Sequence, residues 1–267
     1  MTTLSSPVCS VVTVTFNNAA ELEKTILSVI NQDYSNYEFI IIDGGSTDST
    51  MEVITKYSEN IDHWVSEDDA GIYDAMNKGI GFSKGKWLNF MNAGDIYINE
   101  SVLSKTFIDF NSYNEYSFLL GNTIIKYDEM QKRFRGDINQ IKYGTQFIHQ
   151  STFISRKYHL KNFYDTDESI AADYKFFYSA IHNKEPYFEL NQDICLFASG
   201  GISDTKRIKS LIGGLRISLM IAFDIKVIVI YLFNIFKSVF KLIVKSILPL
   251  KIIKNLRVIL HKARFKS

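Results

Sequence analysis

The stretch Lys86-Trp87-Leu88-Asn89-Phe90-Met91-Asn92-Ala93-Gly94-Asp95 decides the fold. Its first half is short, mostly apolar and bounded by Gly85 and Gly94, as expected of a central parallel strand buried on both faces. Its second half is a small polar turn carrying two oxygen-bearing side chains, Asn92 and Asp95. In open α/β sheets, ligands bind beyond the carboxyl ends of the strands. A carboxylate there, beside small Ala93 and Gly94, can reach a hard divalent cation and leave room for a phosphate. The plain structural reading is a strand-to-helix turn with an acid near a helix N-terminus. The other strand ends decide between the two.

Upstream, Val8 to Phe16 is β-branched and almost wholly apolar, a first strand broken by Asn17-Asn18. Apolar residues then recur with helical period from Ala19 to Ile30. Tyr37 to Asp43 is a second buried strand, followed by the loop Gly44-Gly45-Ser46-Thr47-Asp48 and a helix to about Tyr57, with Asp48 or Ser49 as its cap. His63 to Ser66 reads as a short third strand, Glu67-Asp68-Asp69-Ala70-Gly71 as an acidic turn, and Ile72 to Phe82 as a helix. Alternating strands and helices imply βαβ units around a parallel sheet. Right-handed crossovers bring successive strands in the same way up. Asn17-Asn18, Asp43, the acidic turn at 67–69 and Asn92/Asp95 therefore belong on one edge. Four polar clusters on one edge describe a cleft for a polar, metal-linked ligand. No G-x-G-x-x-G follows the first strand, and no phosphate-loop lysine motif is present, so dinucleotide and P-loop sites are excluded. Gly79-Ile80-Gly81 ends a helix and precedes a strand, the wrong context for such a loop.

Beyond Asp95 the pattern loosens. A helix is expected over 101–110, an antiparallel pair over 118–127 and 131–135, and a strand over 146–155. A further helix is expected over 169–182 and an extended segment over 187–198, ending at Ser199-Gly200-Gly201. Cys9 and Cys195 lie in apolar strand-like runs, as buried free thiols do, which suits a reducing compartment. Met1 to Pro7 lacks the basic and apolar regions of a secretory signal.

Charge is unevenly divided along the 267 residues. From Lys206 onward there are fourteen Lys and Arg against one acid, a net +13, leaving sixteen bases and twenty-eight acids, −12, on residues 1–205. This suggests an acidic body, 1–205, and a basic helical extension, 206–267. The longest uncharged run in the extension, Val227 to Phe236, falls short of the roughly 20 apolar residues that cross a bilayer. Lys237, Lys241 and Lys245 share one helical face among aromatics, the pattern of a helix lying on an anionic membrane surface. Packing on the body or on a second subunit remains open, so a homo-oligomer is possible. Nucleic acid is a poor partner for so acidic a body.

With these residues assembled, the chain resembles the inverting, nucleotide-sugar-dependent glycosyltransferases of family 2, with the GT-A fold. The resemblance rests on Val12-Thr13-Val14-Thr15-Phe16-Asn17, on Ile41-Ile42-Asp43-Gly44-Gly45-Ser46-Thr47-Asp48, on Asn92-Ala93-Gly94-Asp95, and above all on Ser66 to Gly79, SEDDAGIYDAMNKG. That last run is similar to transferases of bacterial colanic-acid, O-antigen and exopolysaccharide clusters. His149-Gln150 and Ile170-Ala171-Ala172-Asp173-Tyr174 extend the likeness less specifically to about Gly201.

The resemblance implies an α/β fold: a mostly parallel, Rossmann-like sheet flanked by helices, carrying the basic amphipathic extension. Thr15 and Asn17 would edge the nucleotide pocket, and Asp43 would accept from the base. Asp69, Gly71 and Asn77 would line the ribose and diphosphate, with Asn92 beside them. Asp95 would hold Mg²⁺ or Mn²⁺, and Asp173 would be the general base, with Asp165, Asp167 and Glu168 as substitutes. His149 and Gln150 would touch acceptor or phosphate. Many relatives carry more carboxylates where Asn92 and Gly94 stand here, so metal dependence is open.

The activity implied is transfer of a hexosyl or N-acetylhexosaminyl group from a nucleotide-sugar donor, a UDP-sugar, to a lipid-linked or polysaccharide acceptor. The expected location is cytoplasmic, peripheral on the inner face of the cell membrane. The rival readings are a membrane-associated scaffold without catalysis and a sugar-nucleotide nucleotidyltransferase. The latter lacks the Gly-rich basic loop that grips a triphosphate.

Overall fold

Apolar residues on both faces of successive strands build the centre of the protein. The computed structural model describes residues 6–127, 130–168, 170–198 and 206–247. Strand β1 (Cys9–Thr15) pairs in parallel with β2 (Tyr37–Asp43) on one side and β4 (Trp87–Phe90) on the other, and β2 pairs with β3 (His63–Ser66). Between them lie α1 (Ala19–Ile30), α2 (Thr50–Lys56) and α3 (Ile72–Phe82). Because side chains alternate along a strand, Val12, Val14, Ile40 and Ile42 pack in the cluster that contains α3, while Val11, Phe39 and Ile41 pack in the cluster that contains α1. The two-sided burial is why these strands read as continuous apolar runs.

The second half of the sheet is mixed. After the short β5 (Ile96–Tyr97) and α4 (Val102–Thr106) come β6 (Phe118–Tyr127), β7 (Met130–Phe134), β8 (Thr152–Ser155) and β9 (Tyr187–Ala198), with α5 (Arg156–His159) and α6 (Ala172–His182) between the last two. The order along the sheet is β3-β2-β1-β4-β8-β6-β9-β5, with β7 paired to β6. The expected strand over 146–155 is a 3-10 turn, His149–Ser151, followed by β8. The helix expected over 101–110 shortens to Val102–Thr106. The turn residues 128–129, Ser169 and the Ser199-Gly200-Gly201 end fall outside the described residues.

The body does not stop at residue 205. Helix α7 (Arg207–Ile221) buries Ile217 in the same cluster as Val12 and Tyr174, so this part of the extension completes the core. Helix α8 (Ile225–Ile247) packs on it through fully buried Val227 and Tyr231. Lys142 pairs with Asp224 between the two helices at 2.7 Å.

The rest of α8 is largely exposed, and 225–244 is long and apolar enough to cross a membrane by length and composition. This differs from the expectation of too short a run. Lys237 and Lys241 interrupt the uncharged sequence without interrupting the helix, and lysine stems lie along apolar surface while their charge reaches water. Residues 248–267 lie outside the described part.

Candidate active site

The four polar clusters do share one edge. Thr15 stands beside Asp43, and Asp43 beside Ser66, at the carboxyl ends of β1, β2 and β3. The turn after β4 is tied to the same edge by Met91 N to Val12 O, 2.9 Å, and Ala93 N to Val14 O, 3.1 Å.

One half of the edge is built from loops that hold one another. Asn17, with φ at +48°, accepts at Oδ1 from Thr47 N at 2.8 Å, and its own N–H donates to Ser46 Oγ at 2.7 Å. Short polar side chains tolerate this left-handed conformation. Asp43 is fully buried: Oδ2 accepts from Ser46 N and Ser66 Oγ, and Oδ1 from Ser46 Oγ. Its carboxylate fixes the loop from beneath; the resemblance implies that it also accepts from the base.

Asp69 takes the exposed side of that loop. Its Oδ1 accepts from Gly71 N at 2.8 Å, and its Oδ2 lies where a side chain on Gly44 would begin, 2.4 Å from a Cβ built there. Gly44 therefore lets the Asp69 carboxylate close on the loop backbone. Phe16, 60% exposed, sets its ring against the same glycine. Gly71 has φ +120° and starts α3.

Asn77 is engaged elsewhere. Its amide donates to Tyr164 O and accepts from Tyr164 N, both at 2.9 Å, bridging α3 to the loop before α6. Both ends of the amide bond the Tyr164 backbone, where the resemblance implies a place beside ribose and diphosphate.

The other half of the edge is a connected polar constellation. Thr25 Oγ1 donates to Asp95 O at 2.8 Å and accepts from Gly94 N at 2.9 Å, holding the turn. Gln150 donates to Asp95 Oδ2 at 2.7 Å, and Asn92 Nδ2 lies 3.2 Å from His149 Nε2. His149 Nδ1 faces Asp173 Oδ2 at 3.9 Å, and Tyr73 donates to Asp173 Oδ1 at 3.0 Å. Segments distant in sequence, the turn after β4, the 3-10 turn, α6 and α3, thus meet. Asn89, the polar residue inside β4, explains the placement of the 3-10 turn: its amide donates to Gln150 O and Thr152 O, both at 3.0 Å.

Burial pushes the Asp95 carboxyl up to about 6, against the Gln150 hydrogen bond and the nearby His149, which pull it down. A desolvated carboxylate is a favourable place for a cation. Asn92 Oδ1 is buried without a hydrogen-bond partner, and Thr15 Oγ1 likewise. Among the described residues no group of three or more His, Cys, Asp or Glu is arranged to hold a metal ion. Asp95 and the orphaned Asn92 oxygen are of the chemistry that an oxygen-seeking divalent cation takes.

Phe16 has no role assigned by the sequence beyond closing an apolar run; an aromatic placed immediately after a strand, on the polar carboxyl edge, is the signal available for it.

Sheet, helices and an acid- and amide-lined carboxyl edge define the GT-A glycosyltransferase architecture. The chain belongs to glycosyl transferase family 2, whose model matches residues 10–177. It is a glycosyltransferase by that membership. An uncharacterized glycosyltransferase of Mycobacterium tuberculosis strain H37Rv is 30% identical over 218 residues, 79% of this chain and 83% of the relative. A PGL/p-HBAD biosynthesis glycosyltransferase of Mycobacterium bovis BCG is 26% identical over 156 residues, 57% of this chain and 61% of the relative. Among solved structures, Staphylococcus aureus TarS 1–349 in complex with UDP superposes with a TM-score of 0.63 at 15% identity, covering 81% of this chain and 67% of that one. The Pyrobaculum calidifontis mannosyltransferase PcManGT, in complex with GDP-Man and Mn²⁺, gives 0.63 at 14% identity, covering 97% and 81%.

Proposed function

We propose that the protein transfers one sugar, with inversion, from a UDP-sugar to a saccharide on a lipid carrier, in the building of a cell-surface glycan. The observation that carries this is the contact chain Asp95–Gln150 and Asn92–His149–Asp173–Tyr73, which joins a cation-suited turn after β4 to a carboxylate on α6. The exposed Phe16 ring offers a stacking face for the base, with Thr15, Asn17 and Asp69 around it. Asp43 holds that loop. Asp95 and Asn92 Oδ1 would hold Mg²⁺ or Mn²⁺, which would supply Lewis-acid stabilisation of the leaving diphosphate.

Asp173 acts on the acceptor. Its carboxylate removes the proton of the attacking hydroxyl as that oxygen bonds to the anomeric carbon. The bond from the anomeric carbon to the diphosphate breaks on the opposite face, and the electron pair leaves with UDP. His149, between Asn92 and Asp173, borders both the phosphate and acceptor sides.

The membrane partner rests on α8. Val229, Leu232, Phe233, Phe236 and Phe240 are exposed along it, with Lys237 and Lys241 also exposed. An apolar stripe flanked by lysines suits the interface of an anionic membrane, where a lipid-linked acceptor is found, on the cytoplasmic side.

The test is UDP release from UDP-glucose, UDP-galactose and UDP-GlcNAc with Mn²⁺, for the wild type, Asp173→Asn and Asp95→Ala. General-base loss costs on the order of 10²- to 10⁴-fold, and Asp173→Asn should fall by that much. Asp95→Ala should lose its response to Mn²⁺. Wild-type turnover in both variants would remove the mechanism.

A further inference from the structure

We propose that Tyr73 is a positioning residue for the Asp173 carboxylate, fixing which of its two oxygens meets the acceptor hydroxyl. This rests on the reading of Asp173 as the base. The two oxygens of Asp173 stand in unequal surroundings. Oδ1 accepts from Tyr73 Oη at 3.0 Å and from Tyr174 N at 2.8 Å. Oδ2 faces His149 Nδ1 at 3.9 Å, beyond hydrogen-bond length. Oδ1 is thus anchored by one donor from its own helix and one from a helix a hundred residues away in sequence. Oδ2 is left as the oxygen that takes the acceptor's proton.

Tyr73 is built for this task rather than for packing alone. It is 8% exposed, and its ring lies against Tyr164 with centroids 5.6 Å apart. A phenylalanine would fill the same space. The hydroxyl adds only the bond to Asp173, and burial together with the charge of Asp173 raises its pKa and keeps it a donor. A carboxylate on the first turn of a helix has rotamers that point to solvent. The bond across to α3 selects the one in which Oδ2 faces His149, and holding a reacting group in one geometry removes an entropic part of the barrier. In the transfer step the acceptor O–H bond breaks, its proton moves to Asp173 Oδ2, and the acceptor oxygen forms the new bond to the sugar as UDP departs.

The experiment is a cycle of Tyr73→Phe, Asp173→Asn and the double variant in the full chain. The readout is UDP release from UDP-glucose, UDP-galactose and UDP-GlcNAc with Mn²⁺ and water as acceptor, and thermal unfolding without any donor. Tyr73→Phe is expected to lower kcat about tenfold or more, the worth of a hydrogen bond to a charged group. Donor KM should stay within about twofold. The same substitution should add nothing in the Asp173→Asn background. Unfolding temperatures should be non-additive across the cycle.

Unchanged kcat in Tyr73→Phe with a dead Asp173→Asn overturns the positioning role and leaves the base in place. Equal fractional losses in both backgrounds, a rise confined to KM, or additive unfolding temperatures also overturn it. Wild-type turnover in Asp173→Asn overturns the base itself.

Discussion

Gly44→Ala tests the donor half of the site with one methyl group. A Cβ at residue 44 would lie 2.4 Å from Asp69 Oδ2 and 3.1 Å from Asp69 Cγ, well inside contact distance. Asp69 has a short side chain, so relief requires it to swing away and break its 2.8 Å bond from Gly71 N. The half-exposed carboxylate regains water, so the cost in stability is small, about 1 kcal/mol. The cost in binding is larger if Asp69 contacts the nucleotide. A hydrogen bond to a charged group is worth about 1.5–3 kcal/mol, which is roughly 10- to 100-fold in Kd. Calorimetric titration of UDP into the wild type, Gly44→Ala, Asp69→Ala and the double variant reads this directly. Gly44→Ala should weaken UDP by that factor in the wild type and have little effect once Asp69 is gone, because the two changes act on one contact. A Gly44→Ala protein that folds normally and binds UDP within twofold of wild type would refute the reasoning.

Two further outcomes follow from buried and exposed groups elsewhere. His159 is fully buried among Phe90, Tyr164 and Phe176, and burial lowers its pKa to about 4. The unfolded chain takes up the proton near 6.5, so the stability this neutral histidine contributes is present above 6.5 and lost as pH falls toward 4, about 3 kcal/mol in all. Denaturation from pH 4 to 7.5 should show that slope in the wild type and a flatter one in His159→Gln; equal slopes would be contrary. On α8, Lys237→Glu with Lys241→Glu removes and reverses two charges at about 1 kcal/mol each, so binding to vesicles containing phosphatidylglycerol should fall at least about 30-fold in flotation. Unchanged flotation would remove the lysine charges of α8 as the source of membrane attraction.

The parallel half of the sheet was legible because strands buried on both faces are written as continuous apolar runs. Tyr37–Asp43, His63–Ser66, Ala19–Ile30 and Ile72–Phe82 have the ends that the sequence suggests. From that half, the shared polar edge followed by handedness alone. The mixed half was less legible. His149–Ser151 is shaped by tertiary bonds from Asn89, which no local periodicity encodes. The same limit applies within the site. Asp43 and Asn77 could be named as polar residues near the edge, but whether their oxygens face ligand or backbone depends on Ser66 and Tyr164, reached only through the fold. The extension misled in another way: its charge set it apart in sequence, while Ile217 and Tyr231 tie its first part to the body through α6 and α7.

In the proposed reading, one edge of the sheet gathers nucleotide, cation and base. A crystal of the full chain grown with UDP and Mn²⁺, measured for anomalous scattering, tests it most directly. A manganese peak is expected beside the Asp95 carboxylate, with diphosphate against it and uracil over the Phe16 ring. Manganese remote from Asp95, or UDP ordered away from the Phe16 ring, would overturn it.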